Sequence, residues 1–349
     1  MRRILALILV TGLAAAAAYY VLVLRPEGAP KPVAALPPKP SAAPAATTIK
    51  DPLRPEAPIE PDDQRPPPKG DWIKARPGFQ HSLSASQRGG VEPCATQTVD
   101  SSGFEAPLPR GRARLHLPRD FAPKENGDFD LIIHLHGDEP VRRELIESGQ
   151  KLPLLTITLG LNEGYAPLFS SSELFRAYVA DIEQVLSRRS GRPAHARKVA
   201  MSAWSAGFVG VAAAISQKAS SQIDAVVLID GLHAPRRDRA MFEAQLEPFV
   251  KFARRAADKQ AFMFISHSSI DPPDFASTTE CAHYLLSTLG FEPRPVHRAD
   301  RFGLELVEFF NRGDLNVRGY AGNDKADHCA QIALLRDVYR ALGQRWAAH

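Results

Sequence analysis

Cysteine is scarce in this sequence. Only Cys94, Cys281 and Cys329 occur in 349 residues, and no pair has the short spacing of a metal site. An odd count leaves at least one thiol unpaired. One disulfide is compatible with export to an oxidising compartment, three buried thiols fit equally well, and the sequence does not choose the partners. Aromatics are few, 8%, and do not interleave with the basic residues. The basic pairs Arg142-Arg143, Arg188-Arg189, Arg236-Arg237 and Arg254-Arg255 are scattered. Without a continuous basic footprint, the net charge of +4 does not make a nucleic-acid-binding protein. No internal repeat is visible.

Long apolar runs are also missing, with one exception. Ile4 to Leu24 are 21 uncharged, mostly apolar residues between Arg2-Arg3 and Arg25. As a helix they would span about 31 Å, the thickness of a bilayer core. A cleaved signal normally has a shorter apolar region, so residues 1–25 are expected to be an uncleaved transmembrane anchor. Ala16 and Ala18 offer a cleavage site, and in that case the protein is secreted. Either way Arg2 and Arg3 hold the N-terminus inside and the remainder is exported, to the periplasm or beyond. No cysteine follows the run to carry a lipid. In residues 26–70, 14 of the 45 positions are proline. That composition cannot bury enough apolar surface to order itself, and it predicts an extended tether.

The whole chain has the 44% hydrophobic composition of an ordinary globular protein, and residues 71–349 alternate strand and helix signals. Strands are expected at 112–118, 129–137, 152–160, around RKVAMSAW, at DAVVLIDG and at QAFMFISHS. Helices are expected at Leu174–Leu186, AGFVGVAAAIS, FEAQLEPFVKFARRAA and ASTTECAHYLLSTLG and from Ala330 to the end, with a β-rich stretch at LELVEFFNRGDLNVRGY. Ser170 with Glu173 offers a capping box for the helix Leu174–Leu186. Runs rich in Leu, Ile and Val predict a mostly parallel sheet covered by helices on both faces.

Ser205 lies between a strand and a helix in Ala203-Trp204-Ser205-Ala206-Gly207. Small residues two positions either side let a serine sit on a tight turn above the sheet, with the Ala206 N–H aimed at a developing oxyanion. The alternative is one more small residue in a close-packed helix. In this strand–turn–helix context the pentapeptide resembles the nucleophile elbow of the α/β-hydrolase superfamily, over most of residues 110–349. Ala203 stands where the family usually has glycine.

The resemblance implies a serine hydrolase, esterase rather than amidase, with the chain order Ser, acid, His. HLHGDEP then looks like the oxyanion loop, with Gly137 and the Asp138 N–H as the second donor. His134 and His136 share a strand face as a metal pair would, but further ligands at convincing spacing are missing. No cofactor or metal is implied. His328, in a polar segment before the last helix, is the expected base. Asp271, after the strand 260–268, is the expected acid, with Asp230, one strand earlier, as the alternative. His136, Trp204, His233 and His267 are expected near the substrate. About 30 residues separate the strand ending at Gly231 from the next, too few for a bulky lid. That favours a small-molecule or cell-envelope ester over a bulky lipid. The competing class is a tethered, non-catalytic binding or scaffold module with the same fold. The oligomeric state is not legible.

Overall fold

The computed structural model describes residues 103–348, except 111, 160–163 and 238–239. The expected anchor, the proline-rich tether and Cys94 lie outside the described residues. Among the described residues no helix is long and apolar enough to cross a membrane.

The strands, in chain order, are β1 (Phe104–Pro107), β2 (Ala113–Leu117), β3 (Asp128–Leu135), β4 (Leu154–Ile157), β5 (His195–Trp204), β6 (Ile223–Ile229), β7 (Ala234–Arg237), β8 (Ala240–Met241), β9 (Phe262–His267), β10 (Phe275–Ala276), β11 (Arg294–Ala299), β12 (Glu305–Arg312) and β13 (Leu315–Tyr320). The helices are α1 (Asp138–Ser148), α2 (Ser172–Ser190), α3 (Phe208–Ile215), α4 (Glu247–Ala257), α5 (Thr278–Thr288), α6 (Lys325–Ala330) and α7 (Leu335–Ala348).

Ten strands form one sheet in the order β1-β2-β4-β3-β5-β6-β9-β13-β12-β11. The middle of it, β4-β3-β5-β6-β9-β13, is parallel throughout, and antiparallel pairs flank it on both sides. The chain is therefore mixed α/β with a mostly parallel sheet. One face packs on α2, α3, α4 and α5 through residues such as Phe175, Val211, Phe249 and Leu285. The other packs on α1 and α7 through Leu145, Val338, Tyr339 and Trp346. Burial on both faces explains the continuous apolar run AVVLI that follows Asp224 in β6, where a half-exposed strand would alternate. Between β6 and α5, the short strands β10, β7 and β8 make a separate small sheet in place of a long insertion.

Local signals set most boundaries. In α4, Pro248 occupies the first turn, where its missing N–H costs no hydrogen bond, and Phe249, Phe252, Ala253 and Ala256 form the buried stripe. The cap of α2 is one residue later than expected. The Ser171 side chain accepts the Leu174 N–H, whereas the Ser170 hydroxyl donates to the Pro167 carbonyl. β1, β11 and α1 were not evident in the sequence. Of the α1 residues only Val141 and Leu145 are buried apolar ones, too few for a clear period. Cys329 is disulfide-bonded, while Cys281 is a buried free thiol whose burial pushes its pKa up.

Candidate active site

The register of the parallel strands sets the site. Leu135 of β3 lies opposite Ala203 of β5, and Trp204 of β5 lies opposite Ile229 of β6. The next residue of each strand, His136, Ser205 and Asp230, therefore emerges at one sheet edge. These three have positive φ, at 76°, 51° and 41°; among the described residues only one other non-glycine, Lys259, does. A left-handed non-glycine residue costs on the order of 1–3 kcal/mol, so three on neighbouring strand ends mark a place where geometry outweighs local comfort.

Ser205 opens a 3-10 turn, Ser205–Gly207, that runs straight into α3. The first N–H groups of such a turn have no partner within the helix, and the dipole adds partial positive charge there. Small neighbours are required by contact. A Cβ on Gly207 would lie 2.3 Å from the Leu135 carbonyl oxygen. A Cβ on Gly231 would lie 2.7 Å from the carbonyl oxygen of Ser205 and 2.9 Å from its nitrogen. The Ser205 backbone is thus wedged between the ends of β3 and β6. The small residues around Ser205 shape a tight turn, not a close-packed helix.

His328 is completely buried in α6, a short helix begun by a reciprocal capping box between Asp324 and Asp327. Its Nδ1 lies 2.7 Å from Asp230 Oδ2. The Ser268 N–H (2.9 Å) and the Thr278 hydroxyl (2.8 Å) donate to Asp230 Oδ1. Burial alone would raise the Asp230 pKa, yet His328, Thr278 and Ser268 hold it below the ordinary carboxylate value. A carboxylate with these donors accepts the Nδ1–H of His328, which leaves Nε2 as the basic nitrogen. The Trp204 indole ties this pair to the elbow. Its ring lies 4.9 Å from that of His328 at 32°, and its Nε1–H donates to the His328 carbonyl at 3.3 Å.

The carboxylate on His328 is thus Asp230, which corrects the preference for Asp271. Asp271 is exposed in the loop after β9, whereas Asp230 leaves the strand next to β5. Ser268 and Thr278 were not anticipated. Serine after a strand and threonine in a helix's first turn are common, and nothing local marks them as partners of an aspartate 38 and 48 residues away.

The oxyanion side needs a second correction. The Asp138 N–H donates to the Thr158 hydroxyl at 3.2 Å. The Asp138 carboxylate meets His116 Nε2 at 2.9 Å and accepts from the Thr156 hydroxyl at 2.7 Å, and these partners hold its pKa down against burial. Asp138 is thereby anchored at the start of α1, toward β4 and β2. Gly137, at φ 100°, is left as the turn residue beside Trp204.

His134 and His136 do not form a metal pair. His134 Nε2 donates to the His136 carbonyl (2.9 Å), so its Nδ1, 2.7 Å from Ser202 Oγ, is an acceptor. Burial lowers its pKa to about 3. His136 stacks on Trp204 at 5.1 Å, with its Nδ1 2.8 Å from the Tyr165 hydroxyl. Burial, helped by nearby His328, lowers its pKa to about 4. His233 donates from Nδ1 to the Ala276 carbonyl, between Phe208 and Phe275, and burial lowers its pKa also to about 4. His136, Trp204 and His233 border the Asp230–His328 pair. His267 does not: it is buried beside Thr279 and Glu308, which corrects its expected place near the substrate.

No protein-family profile matches this sequence, nor does any curated protein. Solved structures similar to it include a putative aryl esterase from Burkholderia cenocepacia, at 13% identity over 71% of this chain and 100% of that one, TM-score 0.36. The enterobactin esterase FES from Shigella flexneri is similar at 13% identity, 74% and 64% coverage and TM-score 0.44. The feruloyl esterase module from Clostridium thermocellum is similar at 10% identity, 77% and 95% coverage and TM-score 0.40. For the enterobactin esterase and a thermostable esterase, the match spans less than two thirds of the other chain, 64% and 61%.

Proposed function

We propose that this chain is a serine hydrolase that cleaves carboxylic esters by acyl transfer through Ser205. The observation that carries the reading is the Asp230–His328 hydrogen bond at the strand end next to a strained Ser205. In this reading His328 Nε2 takes the Ser205 proton as Oγ attacks the ester carbonyl. Asp230 keeps the proton on Nδ1 and stabilises the imidazolium. The N–H groups of Ala206 and Gly137 receive the oxyanion, and the start of α3 adds its dipole. His328 then protonates the leaving alcohol. Water, deprotonated by the same nitrogen, releases the acid and restores the serine.

The small sheet after β6 leaves no room in the sequence for a large lid, which fits an ester of modest size or one in the cell envelope. The anchor and tether belong to the same proposal. The full-length chain is expected in the membrane fraction, and residues 71–349 in the soluble fraction with equal activity. Expression of the full-length chain that yields a free species with a new N-terminus near Tyr19 overturns the anchor. The chemistry is tested with a fluorophosphonate probe. Labelling of the wild type and not of Ser205→Ala is expected. A wild type that stays unlabelled at every pH, with no turnover of an ester panel, favours the non-catalytic module.

A further inference from the structure

A second histidine cluster, which the hydrolase reading does not use, joins β9, α5 and β12. His267 Nδ1 lies 2.9 Å from the Thr279 hydroxyl oxygen, and that hydroxyl donates to the Ser268 carbonyl at 2.7 Å. A carbonyl only accepts, so the Thr279 proton is committed and its oxygen accepts the Nδ1–H of His267. Neutral His267 therefore carries its lone pair on Nε2. That atom is buried and makes no aligned hydrogen bond, although Glu308 Oε1 is only 3.0 Å away. His283 Nε2 reaches the same oxygen at 2.5 Å. A lone pair facing a carboxylate in a buried site is repulsive unless a positive charge lies between them.

We propose that His267 Nε2, His283 Nε2 and Glu308 bind one divalent cation of the zinc class. The three ligand atoms already lie within 4.8 Å of one another. Tetrahedral bonds of ~2.0–2.1 Å would set them roughly 3.3 Å apart, close to the His267–Glu308 separation. The shift required is chiefly an outward move of His283. Two imidazoles and a carboxylate form a borderline nitrogen–oxygen set that suits zinc. His267 already has the arrangement typical of a metal-bound histidine, its other N–H given to a fixed acceptor. Space is built in at Gly319, where a Cβ would lie 2.5 Å from His267 Cε1 and 2.8 Å from Nε2. The His283 and Glu308 side chains are 12% and 13% exposed, so the cluster lies near the surface. Sequence spacing gave no hint because the ligands come from three separate elements.

The test needs no catalytic activity. Full-length protein is stripped with a chelator, dialysed against Zn²⁺ and analysed for bound metal. One equivalent is expected. His283→Gln and Glu308→Gln should each lose at least the ~10–100-fold in affinity that even an outer-shell change costs. Co²⁺ in place of Zn²⁺ should give visible bands of low-symmetry coordination in the wild type and not in these variants. In case the variants fold poorly, the wild type gives a second reading: Zn²⁺ should protect His283 from diethyl pyrocarbonate, followed by peptide mapping. Absence of stoichiometric binding, binding undiminished in folded variants, or an unprotected His283 overturns the proposal.

Discussion

Replacing Asp230 by asparagine tests the site most sharply, because the structure dictates how the amide must sit. Oδ1 receives the Ser268 N–H and the Thr278 hydroxyl, and Oδ2 receives the Nδ1–H of His328. In Asp230→Asn the amide oxygen must keep the Ser268 side, since an NH₂ there would meet a backbone N–H head-on. The NH₂ then points at His328 and can only donate. His328 must turn Nδ1 into an acceptor and carry its proton on Nε2, the nitrogen proposed to receive the Ser205 proton. Volume and hydrogen-bond number hardly change, so the fold should hold. The loss should approach the ~10⁴ in kcat of a triad locked in the wrong tautomer, a barrier increase of about 5 kcal/mol. The assay is hydrolysis of p-nitrophenyl acetate, with circular dichroism as the check on folding. Asp271→Asn, an exposed change, should remain near wild type. A folded Asp230→Asn that keeps more than about a tenth of wild-type kcat, or a collapse in Asp271→Asn, would refute the reasoning.

Other consequences are equally direct. Ser205→Ala, His328→Ala and the double variant should have nearly equal residual rates, because members of one catalytic unit are not additive; multiplicative losses would mean independent roles. Gly207→Ala drives a Cβ into the Leu135 carbonyl, so a loss of about 1–3 kcal/mol in urea unfolding and a disproportionate loss of activity are expected; an unchanged midpoint would count against the wedged elbow. Stability should fall on acidification from pH 7 to pH 5. The folded pKa values of His134, His136 and His233 are about 3, 4 and 4, below the ordinary 6.5, so the unfolded chain gains protons first as pH drops. Each costs roughly 2 kcal/mol over that interval. Asp337, raised by burial to about 6, offsets part of this. A urea midpoint that rises from pH 7 to pH 5 would contradict the buried neutral histidines.

Much of the architecture was legible because its causes are local. Apolar runs bounded by glycine or proline marked β2, β3 and β4, the apolar stretches in RKVAMSAW, DAVVLIDG and QAFMFISHS marked β5, β6 and β9, and helical spacing marked α2. The small residues around Ser205 announced a tight turn, and its position between strand and helix made that serine the candidate. His328 stood out by its place before the last helix. Elements with weak local signals, β1, β11 and α1, were missed.

The sequence by itself determined the alternation of strands and helices and the candidate pair Ser205 and His328. Only the tertiary structure chose Asp230 over Asp271, because both follow a strand and share the same chemistry. The choice rests on register: Trp204 pairs with Ile229, so the next residue of β6 emerges beside Ser205, while Asp271 remains in an exposed loop. The same holds for Asp138, drawn toward Thr158 and His116, and for His267, which lies beside Thr279 and Glu308. Each of these contacts joins residues far apart in the chain. Their meeting depends on strand order and register across the whole sheet, which no short window of sequence specifies.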